Sequence, residues 1–350
     1  MAVTIYEVAK RAGVGIGTVS RVINKSPHIT EKTKQKVIDA IRELNYQPHT
    51  VAQSLARRRT NSIGCIIPFF TGYFYIELLR GIQRELTKCR QELILYSVDS
   101  MIKKETFFDN VLKDRRVDGI LLVSLEISDH YAEQFLDRNL PIVLVDSFHQ
   151  KLDSIKVDNI DGAYRATTHL IRLGYDKIGM IDGQLKSVPA RLRFEGFKKA
   201  LADHHRDFDE HFFVPCDFTD EADGFNKEGG YTAMTRFLDM GHACPRAVFV
   251  SSDIQAVGAI KAIQERSMRI PEDIAVVGFD DIEIAEHIGL TTMKQPTMQM
   301  GQLAVERLFK RVAGENGSRF TIELGTELVI RNSCGFRSAQ HIDRDENSES

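Results

Sequence analysis

Residues 4–24 read Thr-Ile-Tyr-Glu-Val-Ala-Lys-Arg-Ala-Gly-Val-Gly-Ile-Gly-Thr-Val-Ser-Arg-Val-Ile-Asn. Thr4 and Glu7 have the spacing of a capping box, which starts a helix near Ile5. Ala9 and Ala12 are small enough for a close helix crossing, and Gly13 can take the left-handed conformation that ends a helix. A second helix follows from about Ile16. Its Val19, Val22 and Ile23 fall on one face, so Ile16, Gly17, Ser20 and Arg21 point away from any core. Two short helices joined by a glycine turn make a helix-turn-helix, and a second helix of this size fits a DNA major groove.

Working outward, Thr30 is the expected N-cap of a third helix over 31–44, with Val37, Ile38, Ile41 and Leu44 as its apolar stripe. Asn45-Tyr46-Gln47-Pro48 breaks the chain. Residues 50–56 have room for one or two helical turns, too few to be stable without a partner. Arg57-Arg58-Arg59 then reads equally as a polyanion contact or as a solvated linker. Residues 1–60 carry 11 lysines and arginines against 4 aspartates and glutamates, a balance of +7, whereas the rest carries 35 against 45, a balance of −10. Charge alone favours an ordinary solvated surface, but with the helix-turn-helix the basic end becomes the expected DNA contact, and the acidic body is expected to stand off the duplex.

From residue 62 the pattern changes to apolar runs of strand length, at 63–68, 93–98, 119–124, 142–146, 178–181, 247–251 and 274–279, separated by helical segments. That alternation predicts parallel βαβ layers. The number of units, with a further strand at 155–159 between two series, implies two lobes and a cleft. Ligands collect at the carboxyl ends of strands in such sheets. The polar tail, 341–350, is expected to be disordered. A chain of 350 residues with 43% hydrophobic content suits a folded protein of two or three domains. The N-terminus lacks the basic and apolar regions of a signal peptide, so a cytoplasmic location is expected, with no membrane segment. Cys65, Cys89, Cys216, Cys244 and Cys334 are widely spread, without metal-ligand spacing, and are expected to be reduced and mostly buried, with no metal site.

Several motifs carry a resemblance to the LacI/GalR family of bacterial transcription regulators over about residues 3–337. In the N-terminal part they are Ile5-Tyr-Glu-Val-Ala-Lys-Arg-Ala-Gly-Val14, Thr18-Val-Ser-Arg-Val-Ile-Asn24, Tyr46-Gln-Pro48 and Val51-Ala-Gln-Ser-Leu-Ala56. Further on are Val117-Asp-Gly-Ile120, Ala190-Arg-Leu-Arg193 leading to Gly196-Phe197, Ser252-Asp253, Ile270-Pro-Glu-Asp-Ile-Ala-Val-Val-Gly-Phe-Asp-Asp281, Lys294-Gln-Pro296 and Met300-Gly301. The resemblance implies an all-α helix-turn-helix headpiece (1–47), a hinge helix and linker (48–61) and an α/β periplasmic-binding-protein-like core of two parallel-sheet lobes (62–340). Lobe one would be 63–159 plus 292–320 and lobe two 160–291 plus 321–337, with crossings near 159–162, 290–292 and 320–324.

The same resemblance implies partners and site residues. Double-stranded operator DNA would be read at its bases by Ile16, Gly17 and Arg21, and Arg21 is also able to grip guanine O6 and N7, or else a phosphate. Phosphates would be met by Thr4, Tyr6, Thr18, Ser20, Asn24 and Thr33. Leu55, flanked by Gln53 and Ala56, would wedge into the minor groove. A small-molecule effector, such as a sugar or sugar derivative, would sit among Phe74, Tyr75, Asp146, Arg193, Ser252, Asp253 and Asp280. Phe74 and Tyr75 have a core role as the alternative, and Asp280 a helix N-cap. Ser252 stands where many relatives have asparagine, which removes an amide's paired donor and acceptor. Arg191 with Arg193 would suit a phosphate, unless one pairs with a lobe carboxylate. A homodimer is implied, in part through a helix over 298–312, and neither a higher assembly nor a protein coregulator is excluded.

The competing reading is a cytoplasmic sensor or solute-binding protein with a vestigial headpiece. An enzyme is disfavoured. No Ser/His/Asp motif, phosphate loop or metal cluster is visible, so no catalytic residue and no cofactor is expected.

Overall fold

Helix α1 (Ile5–Ala12) starts where Thr4 and Glu7 predict, the Glu7 carboxylate accepting from the Thr4 N–H at 2.7 Å. It ends at Gly13, whose φ of 66° turns the chain so that the Val14 N–H reaches the Ala9 carbonyl at 3.1 Å. Helix α2 (Ile16–Ile23) buries Val19 and Val22, and α3 (Glu31–Glu43) is capped by Thr30. Val8, Ala9, Val19, Val22, Val37, Ala40 and Tyr46 close into one small core, and an exposed Arg11–Glu43 ion pair at 2.5 Å links α1 to α3. These elements come from a computed structural model that describes residues 3–23, 28–46, 60–68, 72–89, 91–98, 101–114, 116–217, 223–315 and 317–336. The chain divides into two compact units between Asn61 and Ser62. The expected short helix over 50–56, the arginine run, the tail, and the candidates Asn24, Gln53, Leu55 and Ala56 lie outside the described residues.

The second unit alternates strands and helices. Its first half runs β1 (Ser62–Ile67), α4 (Tyr73–Cys89), β2 (Glu92–Ser97), α5 (Met101–Asp114), β3 (Gly119–Val123), α6 (Asp129–Asp137), β4 (Ile142–Val145) and β5 (Asp153–Val157). Next come α7 (Asn159–Arg172), β6 (Ile178–Asp182), α8 (Val188–Asp203), β7 (Phe213–Pro215), α9 (Lys227–Asp239), β8 (Ala247–Val250), α10 (Asp253–Glu265) and β9 (Ala275–Asp280). The last elements are α11 (Glu283–His287), β10 (Thr291–Lys294), α12 (Thr297–Val312), β11 (Thr321–Leu324) and β12 (Glu327–Val329).

Two six-stranded sheets result, ordered β11-β5-β4-β3-β1-β2 and β12-β10-β9-β8-β6-β7. The pairings are parallel except for the antiparallel edge β10–β12. Central strands such as Gly119–Val123 and Ala247–Val250 are buried along their whole length, as continuous apolar runs covered by helices on both faces must be. On the first sheet α12 lays Met300, Ala304, Val305 and Leu308 into the core. It approaches α4 closely because both helices carry glycine at the crossing. A Cβ at Gly81 would stand 2.1 Å from the Met298 carbonyl oxygen, and one at Gly301 would stand 2.4 Å from that of Leu78.

The lobe boundaries differ from the expected ones at two of three crossings. Thr291–Lys294 pairs in parallel with Val277–Asp280, so the chain stays in the second sheet through Lys294 and crosses at Gln295-Pro296 rather than at 290–292. Thr321–Leu324 pairs with Ser154–Val157 in the first sheet, so the return crossing is Gly325-Thr326 rather than 320–324. Both strands are short and rich in threonine or charge, and pairing partners rather than apolar content make them strands. No helix among the described residues is long and apolar enough to cross a membrane.

Candidate functional site

In the headpiece, Tyr6 is 68% and Ile16 40% exposed, two large side chains that stay outside the small core. Thr4, Gly17 and Arg21 are also exposed, and Thr18, Ser20 and Thr33 are half-buried. The Thr33 hydroxyl lies 2.9 Å from that of Thr30, inside the cap of α3. The described base-reading and phosphate candidates are therefore on the surface of one small domain, with hydroxyl and aromatic groups near helix starts and Arg21 on the solvent side of α2.

The core holds a cavity of about 370 Å³ whose walls come from both lobes. At its strand ends the backbone is bent out of the extended region: Ser124 after β3 has φ 50°, Asp146 after β4 has φ 52°, and Asp280, ending β9, has φ 119°. Left-handed geometry is unusual for residues other than glycine and is tolerated best by Asp and Asn. Here it turns each side chain off its strand, and all three border the cavity. The Ser124 hydroxyl donates to Asp146 Oδ2 at 3.0 Å. Burial raises the Asp146 carboxyl above its ordinary pKa, opposed by Arg193 and by hydrogen bonds from Ser124 and Asn159. Burial pushes Asp280 up to about 6, opposed by Arg193 and by Gln295, whose amide donates to Asp280 Oδ1 at 2.6 Å.

Arg193, on α8, is 4% exposed and held on several sides. Its Nε donates to Asn159 Oδ1 at 2.8 Å, its Nη1 donates to the Ser251 carbonyl and stands 3.5 Å from Asp280 Oδ1, and its guanidinium lies 3.9 Å from the Phe279 ring centroid. A cation so fixed presents its remaining donors in one direction. Arg191, two residues back along the helix, turns instead to Glu126 of the other lobe at 2.8 Å and does not line the cavity. The two arginines therefore do not form one anion site.

Phe74 and Tyr75 border the cavity, and Tyr75 is also part of the first-lobe core. Their rings meet edge to face at 5.4 Å. Burial raises the Tyr75 hydroxyl well above its ordinary pKa, with the charge of Asp223 adding to it. Asp280 is not a helix cap, since Ile282 takes that position for α11. Ser252 reaches the cavity wall, but its hydroxyl accepts from the Gln255 N–H at 3.3 Å and donates to Gln255 Oε1 at 3.1 Å, capping α10.

Asp253 corrects an expectation. It is fully buried and absent from the cavity wall. One carboxylate oxygen accepts from the Thr292 hydroxyl at 2.6 Å and the other from the Ile282 N–H at 3.0 Å. Burial, and then the charge of Asp280, push its carboxyl well above the ordinary range. It fastens β10 and the loop after β9 to α10.

Residues outside the sequence-based set also line the cavity, notably Lys104, Glu126, Lys186, Asp223 and Phe225. Ser124 carried the same signal as Asp146, a polar residue closing a buried strand. Lys104 and Phe225 come from a helix and a loop with no such mark. Cys65, Cys216 and Cys334 are buried and Cys89 is exposed. Among the described residues no His, Cys, Asp and Glu group has metal-site geometry.

Residues 4–49 match the model for bacterial regulatory proteins of the lacI family, and residues 167–334 match the periplasmic binding protein-like domain. The chain is 35% identical over 335 residues to the HTH-type transcriptional repressor PurR of Mannheimia succiniciproducens, covering 94% of this chain and 98% of that protein. The chain belongs to the LacI family. Among solved LacI-type structures, the lac repressor dimer bound to operator and the anti-inducer ONPF superposes with a TM-score of 0.83 at 30% identity, covering 95% of this chain and 99% of that one. The complex of the transcriptional regulator CelR with cellobiose superposes with a TM-score of 0.70 at 31% identity, covering 95% and 99%. Like its LacI relatives, the protein is a DNA-binding transcriptional regulator with an N-terminal helix-turn-helix and a two-lobed α/β core.

Proposed function

We propose that this LacI-family regulator is a cytoplasmic, homodimeric repressor whose operator affinity is set by a sugar or sugar derivative bound between the lobes. The observation that carries this reading is the meeting of Asp146 from one lobe with Arg193 and Asp280 from the other around one cavity that also holds Phe74 and Tyr75. Carboxylates and a fixed guanidinium bind hydroxyl groups in pairs, while aromatic rings take the C–H faces of a sugar ring. The volume is at the lower end of the roughly 300–1,000 Å³ found for small-molecule sites. A ligand gripped from both sides favours the lobe arrangement in which both walls reach it, and operator affinity changes by its differential affinity for the two arrangements.

On DNA, Arg21 with Ile16 and Gly17 reads base edges, and Thr4, Tyr6, Thr18, Ser20, Asn24 and Thr33 set the register on phosphates. Leu55, between Gln53 and Ala56, enters the minor groove. The headpiece spans 1–47, the hinge 48–61, the core 62–340 and the tail 341–350. Fluorescence anisotropy of the intact protein on its own upstream DNA, with and without a panel of sugars, tests the reading. Tight, salt-dependent binding that one sugar changes at least tenfold supports it, in either direction. Operator binding insensitive to every sugar, with no sugar bound in calorimetry, overturns the effector half. Leu55→Ala is expected to weaken specific binding far more than non-specific binding, and equal losses on both DNAs would reject the wedge.

A further inference from the structure

Lys104 of α5 stands in the cavity wall with only 7% of its surface exposed. Its ammonium donates to the Glu126 carbonyl oxygen at 2.8 Å. Among the described residues that is its one hydrogen bond, and no carboxylate makes an ion pair with it. The charges that favour it are those of Glu126 and Glu105, neither of them in an ion pair with it, and the Glu126 carboxylate pairs across the cleft with Arg191 at 2.8 Å. An ammonium has three donors, and a buried cation without a counter-ion is costly, which burial expresses here by lowering the lysine pKa. Lys186, an exposed residue of the second lobe, lines the same cavity, and its backbone carbonyl accepts from Arg191 Nη1 at 3.1 Å. Lys104, Glu126, Arg191 and Lys186 are thus linked in one chain of contacts, in which the Glu126 carboxylate pairs with Arg191 and the lysines are joined through backbone carbonyls.

The cavity also has a region of opposite sign. Asp223, Asp146 and Asp280 all lie close enough to Tyr75 to disfavour its ionisation, and Arg193 is the cation that faces Asp146 and Asp280. The site is therefore polarised between a carboxylate-rich part suited to hydroxyl donors and a part with spare positive charge.

We propose that the effector is an acidic sugar derivative, whose hydroxylated ring lies against Asp146, Arg193 and Asp280 and whose carboxylate or phosphate is held by Lys104, assisted by Lys186. This rests on the reading of the cavity as the effector site. The bound anion supplies the counter-ion that Lys104 lacks, and it makes charge, not ring shape alone, the discriminating feature of the ligand.

The test uses the full-length protein in a phosphate-free buffer, with calorimetry and thermal shift on matched probes: glucose, glucuronate and glucose 6-phosphate, then ribose and ribose 5-phosphate. An acidic probe is expected to bind at least tenfold more tightly than its neutral counterpart, and the uronate and phosphate arms tell which anion is held. Lys104→Met should abolish that preference and Lys104→Arg should retain it. Ligand-free Lys104→Met should melt no lower than the wild type, because an uncompensated buried charge has been removed. Neutral sugars binding as tightly as acidic ones, or a preference that survives in Lys104→Met, overturns this inference and leaves the effector reading standing. A ligand-free variant melting several degrees lower also overturns it, by showing Lys104 to be a structural partner of the Glu126 carbonyl. Failure of every probe, neutral and acidic, overturns the effector reading and this inference together.

Discussion

In the first lobe, strand order β11-β5-β4-β3-β1-β2 sets Ser124 and Asp146 at the ends of β3 and β4; in the second, β12-β10-β9-β8-β6-β7 sets Ser251-Ser252 and Asp280 at the ends of the equivalent β8 and β9. The two lobes thus offer a serine and an aspartate at matching places. They use them differently. Ser124 donates to its neighbour Asp146, whereas Ser252 is spent on capping α10, and Asp280 is held by Gln295 and faced by Arg193. Topology decides where a polar residue stands, and the helix packed next to it decides whether its hydrogen-bonding groups remain available.

Removing the buried guanidinium that faces carboxylates of both lobes in the cavity should have the largest effect. Arg193→Ala leaves Asp146 and Asp280 without their shared cation. A loss of about 3–5 kcal/mol in urea-denaturation stability is expected, the cost of breaking a buried ion pair from one side. Calorimetry should show no detectable effector binding. Retained binding would place the ligand in one lobe only.

The second effect separates the lobes by pH. The first strand of lobe two ends in Asp182, where β1 of lobe one runs on into Pro68. Burial pushes the Asp182 carboxyl up to about 7, opposed by the Ser251 hydroxyl and the Gly183 N–H. The folded state therefore holds this proton more tightly than the unfolded chain. Its contribution is fully present below the ordinary aspartate value and is lost as pH rises through about 7. Asp182→Asn should flatten the fall in stability between roughly pH 4 and 7 by up to about 4 kcal/mol. Denaturation curves across that range check it, and an unchanged slope would show that Asp182 is charged in the folded protein.

Asp146→Asn and Asp280→Asn test the equivalence of the paired acids. Each should weaken effector binding by about 10–100-fold, a loss of roughly 1.5–3 kcal/mol for a hydrogen bond to a charged group. Because Asp280 ionises at about 6, wild-type affinity should decline as pH drops below that value. In Asp280→Asn that part of the decline should disappear. The smallest effect distinguishes the serines. Ser252→Ala should cost about 1 kcal/mol of stability as a lost N-cap with effector affinity kept within about twofold, whereas Ser124→Ala should weaken binding by about threefold to tenfold.

Much of the molecule is legible in its sequence. Capping residues, the glycine turn and the apolar spacing of Val19, Val22, Val37 and Ile41 describe local helices whose period shows which face is outside, so the exposure of Ile16 and Arg21 followed. The buried strand runs were equally plain, as were the acids that end them. Less visible were β10 and β11, whose threonines become strand only on finding Gly278 or Ser154 opposite them in the sheet. Asp253 misled because it follows Ser252 in sequence while its side chain points the other way. Lys104 and Phe225 carried no local signal, for their place in the wall depends on how two lobes close.

The sequence by itself therefore determined the helix-turn-helix, the two series of βαβ units and the residues that close each strand, since capping, period and burial are encoded within a few residues of one another. Only the tertiary structure decided which polar groups share the cavity, which are consumed as caps or fasteners, and where the chain changes lobe. Those outcomes depend on contacts between segments far apart in the chain, such as Arg193 with Asp280 or Asp253 with Thr292, and no local pattern records them.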